Sequence, residues 1–362
     1  MLSGKAIVFT APNTPLQLLT LPTPPPSPHS LIIRVTLAGV CGSDFHRLTG
    51  DYPPPSSPIC FGHEGVGTIV ALGSSITTDR AGTPLTIGDR LSWLPATPCT
   101  TCAACLRSTP MLCPDINWPA PAATPNAATF REFATLGPRN LYYRIPDSTS
   151  SEAVIAFGCA MPTALRGFAK LGAASSVAGE EVVIQGAGPV GLAMVVLASL
   201  AGARRIIVIG GSSAARLSAA RRLGATETMA VRDSTVEERR GRVLALTEGR
   251  GAGVVIEAAG VPEAFPEGMG LLGMNGRYLV AGLYSGTAVY PVDAVRIVNY
   301  NLQIIGSVGI EPELYLKTVE IATEHGRRLG FADLITHRFP LEELETAIRT
   351  ARTDSVKTVV VP

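Results

Sequence analysis

Glu181-Val-Val-Ile-Gln185, continued by Gly186-Ala-Gly-Pro-Val-Gly191 and the apolar run from Leu192 to Leu200, decides the fold of this 362-residue chain. Three β-branched residues in a row, with no polar alternation, read as a strand buried on both faces. The Ala/Leu-rich run after the glycines reads as a helix. A Gly-x-Gly-x-x-Gly spacing arises readily by chance, but between a strand and a helix it has the context of a dinucleotide fingerprint. Gly186 then permits the tight turn, Gly188 lets the backbone approach a pyrophosphate, and Gly191 allows close helix–strand packing. Pro189 and Val190 open the helix whose free N–H groups face the phosphates. The bland alternative is a glycine turn that only packs a helix.

Further strands follow at Arg205-Ile-Ile-Val-Ile209, Val254-Val-Ile-Glu257, Tyr278-Leu-Val-Ala281 and Leu302-Gln-Ile-Ile305, with a helical run from Ala214 to Leu223. Such alternation predicts a parallel sheet with helices on both faces. An acidic residue at the end of the second strand would accept both ribose hydroxyls of NAD. This chain reads Gly210-Gly211-Ser212-Ser213-Ala214-Ala215-Arg216 there instead. Without the carboxylate a 2′-phosphate is not repelled, and Ser212, Ser213 and Arg216 could donate to it, which favours NADP(H) over NAD(H). The alternative leaves Arg216 as a solvated helix residue.

Upstream of about residue 150 the texture differs. Proline runs at Pro22–Pro28, Pro53–Pro58 and Pro119–Pro125 mark loops and edges, and Pro119 to Ala128 reads as a flexible loop. Between the runs lie short β-rich pieces, Ala6-Ile-Val-Phe, Leu31-Ile-Ile-Arg-Val and Gly67-Thr-Ile-Val-Ala, the pattern of an irregular, mostly antiparallel barrel. Beyond the parallel sheet, helical stretches at 312–324 and 341–351 and a final Lys357-Thr-Val-Val-Val return to this first domain.

Six of the seven cysteines fall into two metal-ligand patterns. Cys99-Thr-Thr-Cys102-Ala-Ala-Cys105, closed by Cys113, offers four thiolates to one tetrahedral ion and leaves no open position. Cys41, His63 and Cys159 are dispersed. Two thiolates and an imidazole leave a fourth position free, as a catalytic metal needs, but each residue alone reads equally as core. Cys60 has no partner at ligand spacing and reads as packing. The opening Met-Leu-Ser-Gly-Lys lacks a charged segment followed by an apolar one, so a cytoplasmic, reducing setting and metal-bound thiolates are expected rather than disulfides.

A 46% hydrophobic composition suffices for two cores, and a net charge of +1 without basic runs excludes nucleic acid and anionic membrane as partners. No apolar stretch approaches the ~20 residues of a membrane span.

With both cysteine patterns and the fingerprint in place, the chain resembles the zinc-dependent medium-chain dehydrogenases, the alcohol dehydrogenase superfamily. The marks are Cys41-Gly-Ser-Asp-Phe-His46, Gly62-His63-Glu64-Gly65-Val66-Gly67, Gly88-Asp89-Arg90, the four-cysteine lobe and Gly186–Gly191, in that order over nearly the whole chain. The resemblance implies an α/β chain: a GroES-like irregular β-barrel catalytic domain over residues 1–158, carrying a structural zinc lobe at about 95–115, a Rossmann doubly wound parallel-sheet domain over 159–306, and a C-terminal return over 307–362. It implies two zinc ions per chain, the catalytic one on Cys41, His63 and Cys159 and the structural one on Cys99, Cys102, Cys105 and Cys113. Asp44 would orient His63, Glu64 would stand beside the metal, and Ser43 and His46 would relay the substrate proton. Thr163 would face the nicotinamide and Lys357 the cofactor pyrophosphate. A homodimer or homotetramer acting on a small alcohol or carbonyl is expected. Trp93 or Asn117-Trp118 would wall the substrate pocket, unless a tryptophan is plain core. Competing readings are a reductase of a conjugated C=C or imine, and a non-catalytic NADPH-binding protein; neither needs the relay and the open metal site.

Overall fold

The computed structural model describes residues 2–107, 109–172, 174–282, 289–290, 292–309, 311–353 and 355–362. The chain divides into two compact units, Met1–Cys159 with Gly309–Pro362, and Ala160–Val308. Cys159 thus ends the first unit, one residue beyond the boundary read from sequence.

The first unit is built from β1 (Leu2–Phe9), β2 (Gln17–Thr23), β3 (Leu31–Gly39), β4 (Ile59–Cys60), β5 (Gly65–Leu72), β6 (Arg90–Leu94), β7 (Ala120–Pro121), β8 (Phe133–Leu136) and β9 (Leu141–Arg144). The second holds β10 (Glu181–Gln185), β11 (Arg205–Gly210), β12 (Glu227–Ala230), β13 (Ala252–Glu257), β14 (Leu272–Val280) and β15 (Gln303–Gly306). The chain then returns to the first unit through β16 (Ile335–Pro340) and β17 (Lys357–Val361). A small sheet runs β2-β1-β4-β7, and a larger one runs β16-β17-β3-β5-β6-β9 with β8 also on β3.

Alternation along β3 sends Leu31, Ile33 and Val35 into a core shared with Phe61, Ile69, Leu91, Trp93 and Phe130, while Arg34 and Thr36 face outward. Burying such a branched side chain stabilises the fold by about 1.5–3 kcal/mol. The stretch read as a flexible loop is more ordered than its prolines suggest. β7 pairs with β4, and Ala127 and Ala128 are buried, because the Asn126 amide donates to Pro121 and Thr124 carbonyls and its oxygen accepts from Ala128 N–H and Arg131.

In the second unit the sheet order is β12-β11-β10-β13-β14-β15, all parallel. The chain moves outward from β10 in one direction and then from β13 in the other. The β10/β13 junction is therefore the topological switch point, outside whose carboxyl ends such folds bind ligands. Every residue of β10 is buried, as its unbroken apolar reading requires. The helix Pro189–Leu200 begins with proline in its first turn and buries Gly191 to Ala198 without a polar face, so it lies against the sheet.

Candidate metal and cofactor sites

β3 and β5 pair antiparallel with Ala38 opposite Gly65, and Gly39 N–H donates to the Glu64 carbonyl at 2.9 Å. This pairing brings Cys41, just past β3, beside His63, just before β5. β17 lies on β3 with Val359 opposite Gly39, and Val40 N–H donates to Thr358. Lys357 is thereby delivered to the same corner. Gly158 follows the helix Ser151–Ile155 with φ +47°, and the Glu64 carboxylate fills the space a side chain there would need. Cys159 comes next.

The ligand atoms of Cys41, His63, Glu64 and Cys159 all lie within 4.8 Å of one another. The two sulfurs are 3.5 Å apart. Ligand bonds of about 2.0–2.3 Å around a tetrahedral ion put neighbouring donor atoms roughly 3.3–3.8 Å apart, so the two sulfurs at 3.5 Å fit zinc, with the imidazole close enough to join them. His63 turns Nδ1 to Asp44 Oδ1 (3.5 Å) and Nε2 to Ser43 Oγ (3.5 Å). Asp44, 3% exposed, also accepts the Cys41 N–H at 2.9 Å. One carboxylate therefore sets both the ring and the backbone of the first cysteine, an outer partner of the kind that fixes a ligand histidine's tautomer.

Charge in the cluster is strongly biased. The sulfur–sulfur contact with Cys159, working against burial and helped by His63, pulls the Cys41 thiol well below its ordinary value. Cys159 is pushed well up by its contact with Cys41 and by burial. Burial opposes charge on His63, but Asp44 and Cys41 outweigh it and raise the imidazole well above its ordinary value. Two thiols and an imidazole must give up their protons to bind a cation, so these shifts bear directly on how the cluster would take one.

Glu64 Oε1 accepts the Cys159 N–H at 3.0 Å, and Oε2 accepts from the Lys357 ammonium. Lys357 also donates to the Val40 carbonyl at 3.3 Å, and both side chains are 1% exposed. The expectation that Lys357 faces a pyrophosphate needs correction. The ammonium sits in the core as counter-charge to Glu64, which the sequence could not reveal because it depends on β17 lying against β3.

The four lobe cysteines likewise bring their sulfurs within 4.8 Å. Cys102 and Cys105 are 3.5 Å apart, and the N–H groups of Cys99 and Cys102 point at Cys113 and Cys99 sulfurs, each at 3.3 Å. Backbone N–H groups of Thr101 and Cys102 pull the Cys99 thiol down to about 6. An all-sulfur set with amide donors to sulfur fits a closed zinc shell.

His46 places Nδ1 2.6 Å from Asp51 Oδ2, and Thr49 Oγ1 donates to the same oxygen. Asp51 was missed in the sequence, although it lies one residue past Gly50, the left-handed cap of the helix Gly42–Thr49. Trp93 is core: fully buried, its indole N–H donates to Ala127 O at 2.8 Å. Trp118 instead packs edge-on to His63, ring centroids 6.2 Å apart. Cys60 is buried packing.

In the second unit Gly186 has φ +107° and Gly188 caps the helix where an added Cβ would meet nothing, while a side chain on Gly191 would strike the Gly186 carbonyl. Thr163 is half-buried on the helix Ala160–Lys170. Ser213 caps the helix Ala214–Leu223, its Oγ accepting the Arg216 N–H at 3.4 Å, and Ser212 is exposed. The two glycines after Ile209 differ. A Cβ at Gly211 meets nothing, whereas one at Gly210 would lie 2.6 Å from Leu217 Cδ2. Of the two, Gly211 alone leaves open space.

Known proteins agree with these features. Residues 27–147 match the alcohol dehydrogenase GroES-like domain and residues 189–324 the zinc-binding dehydrogenase domain. A 5-exo-hydroxycamphor dehydrogenase of Pseudomonas putida is 40% identical over 329 residues, 90% of each chain. A sorbitol dehydrogenase of Bacillus subtilis is 30% identical, covering 96% of this chain and 94% of its own. An alcohol dehydrogenase structure from Thermotoga maritima superposes with TM-score 0.91 over the whole of both chains at 31% identity. The chain belongs to the zinc-type medium-chain alcohol dehydrogenase family. It is an oxidoreductase that passes hydride between a nicotinamide cofactor and an alcohol or its carbonyl. The reading as a C=C or imine reductase is not favoured.

Proposed function

We infer that the chain oxidises secondary alcohols, alicyclic ones foremost, or reduces their ketones, with zinc on Cys41, His63 and Cys159. The observation that carries this reading is the convergence of those three ligands with Asp44 behind His63. Support for the substrate class comes from relatives named for 5-exo-hydroxycamphor and for position 3 of L-threonine, both secondary carbons. Trp118 against His63 adds an apolar wall to the cluster. When bound, zinc supplies the Lewis acidity that makes an alcohol proton acidic near neutral pH, and the nicotinamide supplies the hydride acceptor. Asp44 holds the His63 ring, and Lys357 balances Glu64 so that the buried carboxylate adds no net charge. Ser43 Oγ, beside His63, accepts the alcohol proton as it gives up its own towards His46, and His46, steadied by Asp51, releases a proton to solvent. The alcohol thus loses one proton to the relay and one hydride to the cofactor.

The closed lobe on Cys99, Cys102, Cys105 and Cys113 holds a second, structural zinc. The Gly186–Gly191 turn, Pro189, Val190 and Thr163 hold the dinucleotide, and Ser212, Ser213 and Arg216 favour NADP(H), since no carboxylate repels its phosphate. A homodimer forms through β15. Among the described residues that strand is the edge of its sheet, flanked by exposed Val295, Val298, Ile304 and Val308, a template for a second copy.

The test is a panel of alicyclic, linear secondary, polyol and primary alcohols with NAD⁺ and NADP⁺, following absorbance of the reduced nicotinamide. Fastest turnover is expected on alicyclic secondary alcohols; activity confined to primary alcohols overturns the substrate class.

A further inference from the structure

Glu257 ends β13, opposite Gln185 at the end of β10 and Val280 at the end of β14. It stands at the switch point of the parallel sheet. An acid at a strand end reads as ordinary solvated polarity, yet this side chain is fully buried. Its Oε1 accepts the N–H groups of Ala259 and Gly260, each at 2.7 Å, and Oε2 accepts that of Gly282 at 3.2 Å. One carboxylate therefore ties the loop after β13 to the loop after β14.

That loop is also the floor of the glycine turn. Ala258 N–H donates to the Gln185 carbonyl at 2.8 Å. A Cβ on Gly186 would lie 2.8 Å from the Ala258 carbonyl and 2.9 Å from Ala259 N. The φ of +107° and the 258–259 backbone close beneath the turn together exclude a side chain at Gly186. We propose that Glu257 is a positioning residue for the cofactor: by holding 258–260 in place it fixes the Gly186–Gly191 turn in the shape that receives the pyrophosphate. This rests on the assignment of that turn to the dinucleotide. In Glu257→Gln one oxygen becomes an N–H₂ group facing an N–H donor. One tie is lost, the floor relaxes, and preorganised phosphate contacts weaken.

The test is calorimetric binding of the oxidised dinucleotide, ADP-ribose and adenosine to purified wild type and Glu257→Gln, with unfolding midpoints measured without ligand. The variant is expected to bind dinucleotide and ADP-ribose roughly tenfold or more weakly, both carrying the pyrophosphate, and adenosine within about twofold of wild type. Its zinc content and its KM for alcohol at saturating cofactor should stay unchanged. Equal affinity for all three ligands in variant and wild type overturns the proposal, and so does a uniform loss that includes adenosine, the mark of general loosening. Wild type that binds no dinucleotide overturns the cofactor reading itself, a distinct result.

Discussion

The lobe draws its four sulfurs from one segment, Cys99 and Cys113 being 14 residues apart, whereas Cys41 and Cys159 are 118 residues apart and meet through the pairing of β3 with β5 and the seat of Gly158 and Cys159 against Glu64. The lobe's supporting hydrogen bonds come from its own backbone N–H groups. The dispersed cluster leans on Asp44 and on the buried Glu64–Lys357 pair. A four-sulfur shell made locally can be closed and indifferent to the rest of the fold. A three-ligand site assembled from afar has its geometry and charge set by the barrel, which suits a centre that must leave one position open and tune what binds there.

The largest effect that separates the two regions is catalytic. Cys159→Ala should lower turnover by roughly a thousandfold or more, since Lewis-acid stabilisation is worth several kcal/mol, while circular dichroism shows a folded protein. Turnover within tenfold of wild type would erase the distinction. Next comes Lys357→Met, which strands Glu64 as a buried unpaired charge. A loss of about 3–5 kcal/mol in denaturant-unfolding stability is expected, with a much smaller loss in the double variant Glu64→Gln/Lys357→Met. Cys99→Ser should act in the opposite sense to Cys159→Ala: one zinc is lost and limited proteolysis opens the chain near residues 95–115, while residual turnover stays within about tenfold. Smaller still, a chelator should remove the metal of the open site about ten times faster than that of the closed lobe, measured by a coloured zinc indicator. A single release phase would mean the shells do not differ. In the other unit, Arg216→Ala should cost roughly tenfold in kcat/KM with NADP⁺ and little with NAD⁺.

The contrast also explains what was legible in the sequence. The lobe could be read from spacing because its ligands are neighbours in the chain, and the glycine turn because strand, turn and helix are contiguous. The dispersed trio became readable only through the family resemblance, because nothing in its spacing says which elements bring the three ligands together. Lys357 was misplaced for the same reason: its partner is 293 residues away. Trp93 and Trp118 could not be told apart by type. Gly65 opposite Trp93 makes room for that ring in the core, with Cη2 2.6 Å from where a Cβ on Gly65 would stand. Trp118 sits where the chain leaves the lobe and reaches His63. Glu257 went unnoticed because the N–H groups of Ala259, Gly260 and Gly282 that donate to it belong to loops that only the folded sheet brings together.

The central claim, that the dispersed cluster and not the lobe is the reacting centre, is tested most directly by elemental analysis and initial-rate hydride transfer measured on one preparation of Cys159→Ala. The expected result is about one zinc per chain retained by the lobe, with no reduced nicotinamide formed from any alcohol that wild type oxidises. Two zinc ions per chain with turnover near wild type would contradict it.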